Sequence, residues 1–328
     1  MIDSDLLREL YTNRDYEGVI RNFKKTKNDD QEMASNNERV VDEWSYVFLA
    51  RSYYNLGFYD EAKDTISIFK NEYKNSVKLD LLQKELDKKS IVYTVGYSSF
   101  IVFSEKQTDK LIEMMKKEKI TCLVDVRSFP KSKQFPLFDD NEISNKLNES
   151  GLKYYSLKDE FGARRVENNA YSLIPAEMLK HLSWGNRIIK DIPDKSQYVD
   201  FEKVYLLGAF KKGFEKIKDL MKEEKICFMC SETHPWDCHR CIMVSEYFRR
   251  NGFFIKHIVA DGIIDQKVVN ESIMNFFEDS SSEFKDYRKQ IRFGISEIDP
   301  LDRWDDFFKI HSFDNAIKLK NIQIGYKK

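Results

Sequence analysis

Two patterns of apolar and polar residues divide the chain. Residues 1–90 contain no proline and two glycines, and their apolar residues recur at helical spacing. From Ile91 onward, short and nearly continuous apolar runs alternate with amphipathic ones. Buried strands that alternate with helices are typical of a largely parallel sheet covered on both faces. The pattern therefore predicts an α/β domain of Rossmann-like build that follows a helical domain.

Three regions result from this pattern. We predict a helical domain over residues 1–90, the α/β domain over 91–264 and a helical extension over 265–328. Within the first, Leu49–Ala62 resembles a tetratricopeptide repeat, with Gly57 at the turn between two antiparallel helices, and a weaker copy begins at Tyr11. Such a module either offers a groove to a protein partner or caps the next domain, and the sequence leaves both roles open.

Polar loops follow the apolar runs of the α/β region. Gly96–Ser99 follows the run that begins at Ile91, Arg127–Pro130 follows the run that begins at Thr121, and residues 231–240 follow the run that ends at Cys230. The carboxyl ends of parallel strands meet at one edge of a sheet, where α/β proteins build their sites. We therefore expect these three loops to share one site.

Composition limits the classes of protein to consider. The 328 residues are 41% hydrophobic and 14% aromatic, which fits a folded chain, and Lys+Arg 54 against Asp+Glu 55 leaves no global polycation for DNA or membranes. No signal core or membrane-length apolar run is present, so we expect a cytoplasmic protein. A Gly-rich dinucleotide fingerprint, a P-loop and an HExxH helix are all missing, which disfavours NAD-type hydride transfer, ATP hydrolysis and zinc proteolysis.

Three separate segments carry a family resemblance. Thr94–Ser98, Val124–Ser132 and Met229–Arg240, in this order, resemble the DUF488 family, and the resemblance covers residues 91–260, about half the chain. It implies an α/β domain and a site in these segments, but the family name assigns no reaction. The family also has a Gly-rich turn after the third strand, where this chain carries Ala163 in place of an expected glycine.

The loops at the predicted edge are dense in reactive side chains. The candidate catalytic residues are Asp125, Cys230, Glu232, Cys238 and His239. The candidate ligand-binding residues are Gly96, Tyr97, Ser98, Arg127, Ser128, Pro130, Ser132, Trp236 and Arg240. The two arginines suit bidentate contacts with a phosphate or carboxylate, and the two carboxylates suit acid/base or nucleophilic work. Stacking surfaces for a base are expected from Tyr97, Phe129, Phe138 and Trp236. Together these residue types indicate a nucleotide or nucleic-acid ligand.

Several of these residues also have a structural interpretation. Asp125 paired with an arginine would be a buried ion pair that steadies the strand ends. Cys122 and Cys227 lie within apolar runs and are expected in the core. His257, on a terminal strand, is expected to be a structural histidine rather than a ligand.

The cysteines leave a thiol or metal site to be weighed. Structural zinc sites normally use spaced pairs such as C-x2-C, whereas Cys238 and His239 are adjacent and are expected to point in different directions at a helix start. We therefore predict no metal ligands. A nucleophilic thiol is better supported, because Cys238 near a helix N-terminus beside His239 and Arg240 has surroundings that lower a thiol pKa.

Three functional hypotheses remain. The first is an enzyme, a hydrolase or transferase, that acts on a nucleotide, nucleoside or nucleic-acid base. The second is a ligand sensor that signals through the repeat-like helices to a protein partner. The third is a thiol or metal site for redox chemistry or sulfur transfer. The sequence specifies neither the substrate nor a cofactor.

Overall fold

The computed structural model describes residues 3–32, 41–73, 75–174, 183–184, 187–188, 196–260, 262–278 and 313–327. The chain divides into two compact units, residues 1–90 with 248–254 and residues 91–247 with 255–328. Within the described residues, no helix combines the length and the apolar character needed to cross a membrane.

The first unit is helical, as the absence of proline predicts. Its described helices are α1 (Ser4–Thr12), α2 (Tyr16–Glu32), α3 (Glu43–Asn55), α4 (Tyr59–Glu72) and α5 (Val77–Asp87). The side chain of Asp42 accepts a hydrogen bond from the backbone N–H of Ser45 and so caps α3. Gly57 has φ of +77° between α3 and α4, the left-handed conformation that a glycine turn allows. Tyr46 is buried beside the rings of Phe23 and Phe69 in the core of this unit.

The second unit holds the sheet. Its described strands are β1 (Ile91–Gly96), β2 (Cys122–Asp125), β3 (Lys153–Ser156), β4 (Tyr171–Leu173), β5 (Ser183–Trp184), β6 (Arg187–Ile188), β7 (Gln197–Val199), β8 (Ile226–Cys230), β9 (Phe254–Val259) and β10 (Gly262–Asp265). Its described α-helices are α6 (Gln107–Lys117), α7 (Asp140–Glu149), α8 (Lys158–Phe161), α9 (Phe201–Val204), α10 (Gly208–Leu220), α11 (Glu246–Arg250, which runs into the first unit), α12 (Gln266–Glu278) and α13 (Phe313–Ile324). A π-helical segment, Arg240–Ser245, precedes α11 where the sequence predicts an ordinary helix.

Six strands form one mostly parallel sheet in the order β10-β9-β1-β8-β2-β3, which confirms the predicted α/β class. β8 runs parallel to both β1 and β2, and β3 runs parallel to β2. The register sets Gly96 opposite Cys230 and Asp125 opposite Met229. The carboxyl ends of β1, β8 and β2 therefore lie side by side.

Apolar side chains hold this edge of the sheet in place. Leu111 and Met115 of α6 and Ile143 and Leu147 of α7 are fully buried in one cluster with strand residues such as Val95. Burial of a leucine-sized side chain contributes about 1.5–3 kcal/mol to stability. The strand ends that carry the site are thus anchored in a packed core.

His257 is a structural histidine, as expected from its place on a terminal strand. It is fully buried, its Nδ1 lies 2.7 Å from Oγ1 of Thr94, and its Nε2 lies 2.8 Å from Oε1 of Gln266. Because the amide oxygen of Gln266 can only accept, Nε2 carries the proton and Nδ1 accepts from the threonine hydroxyl. Burial lowers the pKa of His257 to about 3, and the charge of Arg240 adds to this, while Gln266 and Asp265 oppose it.

We expect His257 to make the protein sensitive to acid. The unfolded chain takes up a proton at this imidazole near pH 6.5, whereas the folded chain resists it until about pH 3. The contribution to stability is complete above pH 6.5 and declines as the pH falls, with a slope of at most about 1.4 kcal/mol per pH unit. Urea unfolding between pH 4 and pH 7.5 should show a shallower dependence for His257→Gln than for the wild type. Equal slopes would contradict this role.

Candidate active site at the ends of three strands

Hydrogen bonds join the loops that follow β1, β2 and β8. The backbone N–H of Ser98 donates to the carbonyl of Ser231 at 3.1 Å, and the hydroxyl of Ser99 donates to the carbonyl of Thr233 at 3.3 Å. On the other side, the backbone N–H of Val126 donates to the carbonyl of Met229 at 3.0 Å. The structure therefore brings the three predicted loops together at one edge.

Gly96 allows the β8 loop to lie directly against the end of β1. A Cβ atom at this position would be 1.7 Å from the carbonyl oxygen of Glu232 and 2.6 Å from Nη1 of Arg240. Only glycine leaves room for that approach. The group that lies against the backbone of Gly96 is thus the loop after β8.

Asp125 and Arg127 form a buried ion pair at the end of β2. Nη2 of Arg127 lies 2.5 Å from Oδ2 of Asp125, and Nε donates to both carboxylate oxygens. The hydroxyl of Tyr154, on β3, donates to Oδ2 of Asp125 at 2.9 Å, and Nη2 of Arg127 also donates to the carbonyl of Phe138. Burial alone would lower the pKa of Arg127, but the contacts with Asp125 raise it. These contacts match the structural alternative for Asp125.

Arg240 is fully buried and fastens the β8 loop from within. Its Nη1 donates to the carbonyl of Glu232 at 2.5 Å, and its Nη2 donates to the carbonyl of Thr233 at 3.1 Å. The guanidinium groups of Arg127 and Arg240 are thus engaged with protein groups. Within the described part of the chain, Nη1 of Arg127 and Nε of Arg240 are buried without a hydrogen-bond partner, and the anion clamp expected of these two arginines stays a prediction.

Four reactive side chains converge beside this frame. Oε2 of Glu232 lies 2.8 Å from Sγ of Cys230 and 2.9 Å from Sγ of Cys238. Nδ1 of His239 lies 3.5 Å from Sγ of Cys230 and 3.9 Å from Sγ of Cys238. The two cysteines are buried, His239 is partly buried and Glu232 is exposed. We call Cys230, Glu232, Cys238 and His239 the thiol cluster.

The members of the thiol cluster shift one another's pKa values. Burial raises the pKa of Cys230, but the hydrogen bond with Cys238 and the charge of His239 outweigh it and bring the pKa to about 6. Burial lowers the pKa of His239, but Cys230 and Glu232 raise it to about 9. Burial raises the pKa of Glu232, but His239 and the two thiols lower it to about 2. For Cys238, burial and the negative neighbours raise the pKa. At neutral pH these directions favour a thiolate and an imidazolium side by side.

Cys238 and His239 point to the same place, which corrects the expectation that they would diverge. Cys238 has an extended backbone, with φ −134° and ψ 140°, whereas His239 is helical, with φ −59° and ψ −25°. Adjacent side chains alternate in a continuous strand, but this change of conformation turns the chain between them. The donor atoms of all four cluster residues lie within 4.8 Å of one another and could hold a metal ion.

The aromatic residues predicted to stack on a base separate into two groups. Tyr97 and Phe138 are buried and stack on each other, with ring centroids 4.5 Å apart. Phe129 is 63% exposed, and the ring of the partly buried Trp236 stacks on that of His234 at 5.0 Å. Of these four residues Phe129 is therefore the most exposed, and Trp236 is partly exposed while in contact with His234.

Ser128, Pro130 and Ser132, which the sequence offered as ligand-binding residues, accept hydrogen bonds from backbone N–H groups. Oγ of Ser128 accepts from the backbone N–H of Arg164, Oγ of Ser132 accepts from that of Phe135, and the carbonyl of Pro130 accepts from the N–H of Asp140. Gly162 packs against Ser128, where a Cβ atom would lie 2.9 Å from the serine oxygen. Among the residues described, these contacts hold the segment after β2 in its conformation and join it to the turn at Gly162–Arg164.

Three residues at this edge were missed by the sequence interpretation. Tyr154 donates a hydrogen bond to Asp125 from the next strand, and the sequence around this tyrosine gave no sign of that contact. The exposed Arg164 lies over the ring of Phe129, with Cζ 4.9 Å from the centroid. Lys320 of α13 is 1% exposed and pairs with Asp237 of the β8 loop at 2.7 Å.

Residues 107–247 match the family model described as "Domain of unknown function DUF488". The chain contains a DUF488 domain. The match includes the Asp125–Arg127 segment and the whole thiol cluster, and it begins after the Gly96 loop. No curated protein and no solved structure matches the chain. The function of this DUF488 domain therefore has to be inferred from its own residues.

Proposed function

We propose that the DUF488 domain is an enzyme that acts on a nucleotide, nucleoside or nucleic-acid base by hydrolysis or group transfer. One observation carries this proposal: the carboxylate of Glu232, a residue exposed to solvent, contacts two buried thiols, and an imidazole lies beside them. A reaction centre needs a group that a substrate can approach, and the exposed residue Glu232 offers one at the edge of the cluster.

The frame around the thiol cluster supports this role. Arg240 holds the backbone of Glu232 from inside, and the carbonyl of Val126 holds Nε2 of His239 at 2.9 Å. Precise placement of reacting groups can account for several kcal/mol of a reaction barrier. We assign Glu232 to acid/base or nucleophilic work, Cys230, Cys238 and His239 to shaping and activating the centre, and the Asp125–Arg127 pair to support of the β2 end.

The class of ligand is supported by the groups exposed beside the cluster. Phe129 offers an exposed ring at the end of β2, Trp236 lies within the β8 loop, and the guanidinium of Arg164 lies next to Phe129. Aromatic rings that stack on a base and a guanidinium that binds a phosphate are the usual elements of nucleotide recognition. We therefore add Arg164 to Arg127 and Arg240 as a candidate for binding an anionic group.

The five cysteines also bear on where the enzyme works. All five are free thiols in the structure. Free thiols persist in a reducing compartment, and we assign the enzyme to the cytoplasm.

Glu232→Gln separates an enzyme from a sensor. Wild-type protein is incubated with a panel of nucleotides, nucleosides and bases, and products are detected by chromatography with mass spectrometry. For a panel member that reacts, we expect Glu232→Gln to bind with little change and to turn over at least about 100-fold more slowly, because a positioned acid or base typically contributes 10²–10⁴-fold. Glu223→Gln, at an exposed position before β8, is the matched control and should retain full activity.

Two outcomes would reject the proposal. Wild-type protein that binds a panel member without converting it would instead support the ligand sensor, with the helices of the first unit as the route to a protein partner. A Glu232→Gln variant that keeps wild-type turnover would remove the thiol cluster from the reaction.

A further inference from the structure

The thiol cluster has the composition and spacing of a metal site. We propose that Cys230, Cys238 and His239 bind one divalent transition-metal ion, zinc by preference, with the carboxylate of Glu232 as the fourth donor. This deepens the proposed function and rests on it for the claim that the reaction occurs at this cluster.

The distances suit a single small ion. Tetrahedral zinc, with bonds of about 2.3 Å to sulfur and about 2.0 Å to nitrogen or oxygen, separates its donors by roughly 3–4 Å. The two sulfurs lie 3.5 and 3.9 Å from Nδ1 of His239. They lie 2.8 and 2.9 Å from Oε2 of Glu232, and no two of the four donor atoms are more than 4.8 Å apart. An ion between them would need only small adjustments of the side chains.

The orientation of His239 is fixed by a contact outside the cluster. Its Nε2 lies 2.9 Å from the carbonyl oxygen of Val126. A carbonyl can only accept, so Nε2 carries a proton and donates it, and Nδ1 faces the two sulfurs. Histidine ligands almost always donate their other ring N–H to a carbonyl or carboxylate in this way.

The type of donor selects the ion. Two thiolates and an imidazole favour zinc and related transition metals, whereas magnesium and calcium prefer sites made entirely of oxygen. Two thiolates and a carboxylate around a divalent ion leave one negative charge. The buried guanidinium of Arg240, which donates to the carbonyl of Glu232, and the backbone N–H of Arg240, 3.4 Å from Sγ of Cys238, stabilise such a charge.

Exposure gives the ion a route to a substrate. Cys230 and Cys238 are each 1% exposed, whereas Glu232 faces solvent. A zinc ion held here would act as a Lewis acid on a water that replaces the Glu232 carboxylate as fourth donor, and the released carboxylate would be free for acid/base work. Glu232 then lies on the side from which water or a substrate would approach the ion.

Cobalt substitution tests the site without a substrate. The full chain is stripped of metal, checked for folding by circular dichroism and titrated with cobalt(II). We expect about one cobalt per chain, with a thiolate-to-cobalt charge-transfer band in the near ultraviolet and the strong visible bands of a tetrahedral ion. Cys230→Ala and Cys238→Ala should each weaken cobalt binding by more than ~10–100-fold. That range is typical for loss of a residue that only hydrogen-bonds to a metal ligand. Cys122→Ala, which removes a buried thiol from β2, is the matched control and should bind as the wild type does.

The outcomes distinguish this inference from the proposed function. A folded wild-type chain without the charge-transfer band, or a band unchanged in both cluster variants, would overturn the metal site. A wild-type chain that binds no cobalt at the cluster yet converts a panel member would overturn the metal site and leave the proposed function standing. Cobalt bound as expected by a chain that converts no member of the panel would support the metal site and reject the enzyme.

Discussion

Replacing Asp125 with alanine is expected to lower the free energy of unfolding by about 3–5 kcal/mol, the cost of leaving a buried charge without its partner. Arg127 would keep its guanidinium in an environment that is 4% exposed, with the carbonyl of Phe138 as an acceptor. The hydroxyl of Tyr154 would lose its acceptor as well. Urea unfolding followed by circular dichroism measures this loss directly.

An exposed ion pair is the control for Asp125. Asp109 pairs with Lys146 at 3.1 Å, and both side chains are largely exposed. Asp109→Ala should therefore cost about 1 kcal/mol or less. The double variant Asp125→Ala/Arg127→Met removes both buried charges and should be more stable than Asp125→Ala alone. An Asp125→Ala variant no less stable than Asp109→Ala would show that the pair does not hold the end of β2.

Gly96→Ala is expected to damage both the fold and the reaction. The new Cβ atom would meet the carbonyl of Glu232 at 1.7 Å, and this backbone atom can move away only if the whole loop moves. Overpacking of this kind typically costs about 1–3 kcal/mol. A displacement of about 1 Å at reacting groups can slow a reaction by roughly 100-fold. Urea unfolding and turnover of the same preparation would measure both effects.

Gly208 provides the matched control for this substitution. A Cβ atom at Gly208, the first residue of α10, would meet no heavy atom within 4 Å. Gly208→Ala should therefore leave turnover unchanged and stability equal or slightly higher. If Gly96→Ala matched Gly208→Ala in both measurements, the β8 loop would not depend on its close approach to β1.

The sheet and the place of the site could be predicted from local pattern. The apolar run that begins at Ile91 forms β1, the run that begins at Thr121 contains β2, and the run that ends at Cys230 forms β8. Buried parallel strands are apolar on both faces, so their runs stand out in the sequence. Since parallel strands present their carboxyl ends at one edge, the meeting of the end of β2 with the end of β8 could be expected without knowledge of distant contacts.

The chemistry within the site depended on features that the sequence does not show. The directions of Cys238 and His239 are set by a change of backbone conformation between two adjacent residues. The side-chain rotamer and burial of Arg127 decide whether it contacts a ligand or Asp125. Tyr154 reaches Asp125 only because β3 lies next to β2. Composition and spacing pointed to residues that lie together at this edge of the sheet but did not reveal their hydrogen-bond partners.

The contacts of the helical extension were the hardest to predict from the sequence. Its described helix, α13, pairs Lys320 with Asp237 of the β8 loop, and Asn321 donates to the carbonyl of Val199. Both contacts span more than eighty residues of sequence. An amphipathic pattern shows that a helix packs on something, but not on what. Residues 279–312 of the predicted helical extension lie outside the described residues.

The central claim is that Cys230, Glu232, Cys238 and His239 act together as one reaction centre. The most direct test measures initial rates for Cys230→Ser, Glu232→Gln and the double variant on the panel member that the wild type converts. Residues that act as a unit are strongly non-additive, so the double variant should be about as slow as the slower single variant. Losses that multiply in the double variant, or a single variant with wild-type rates, would contradict the account.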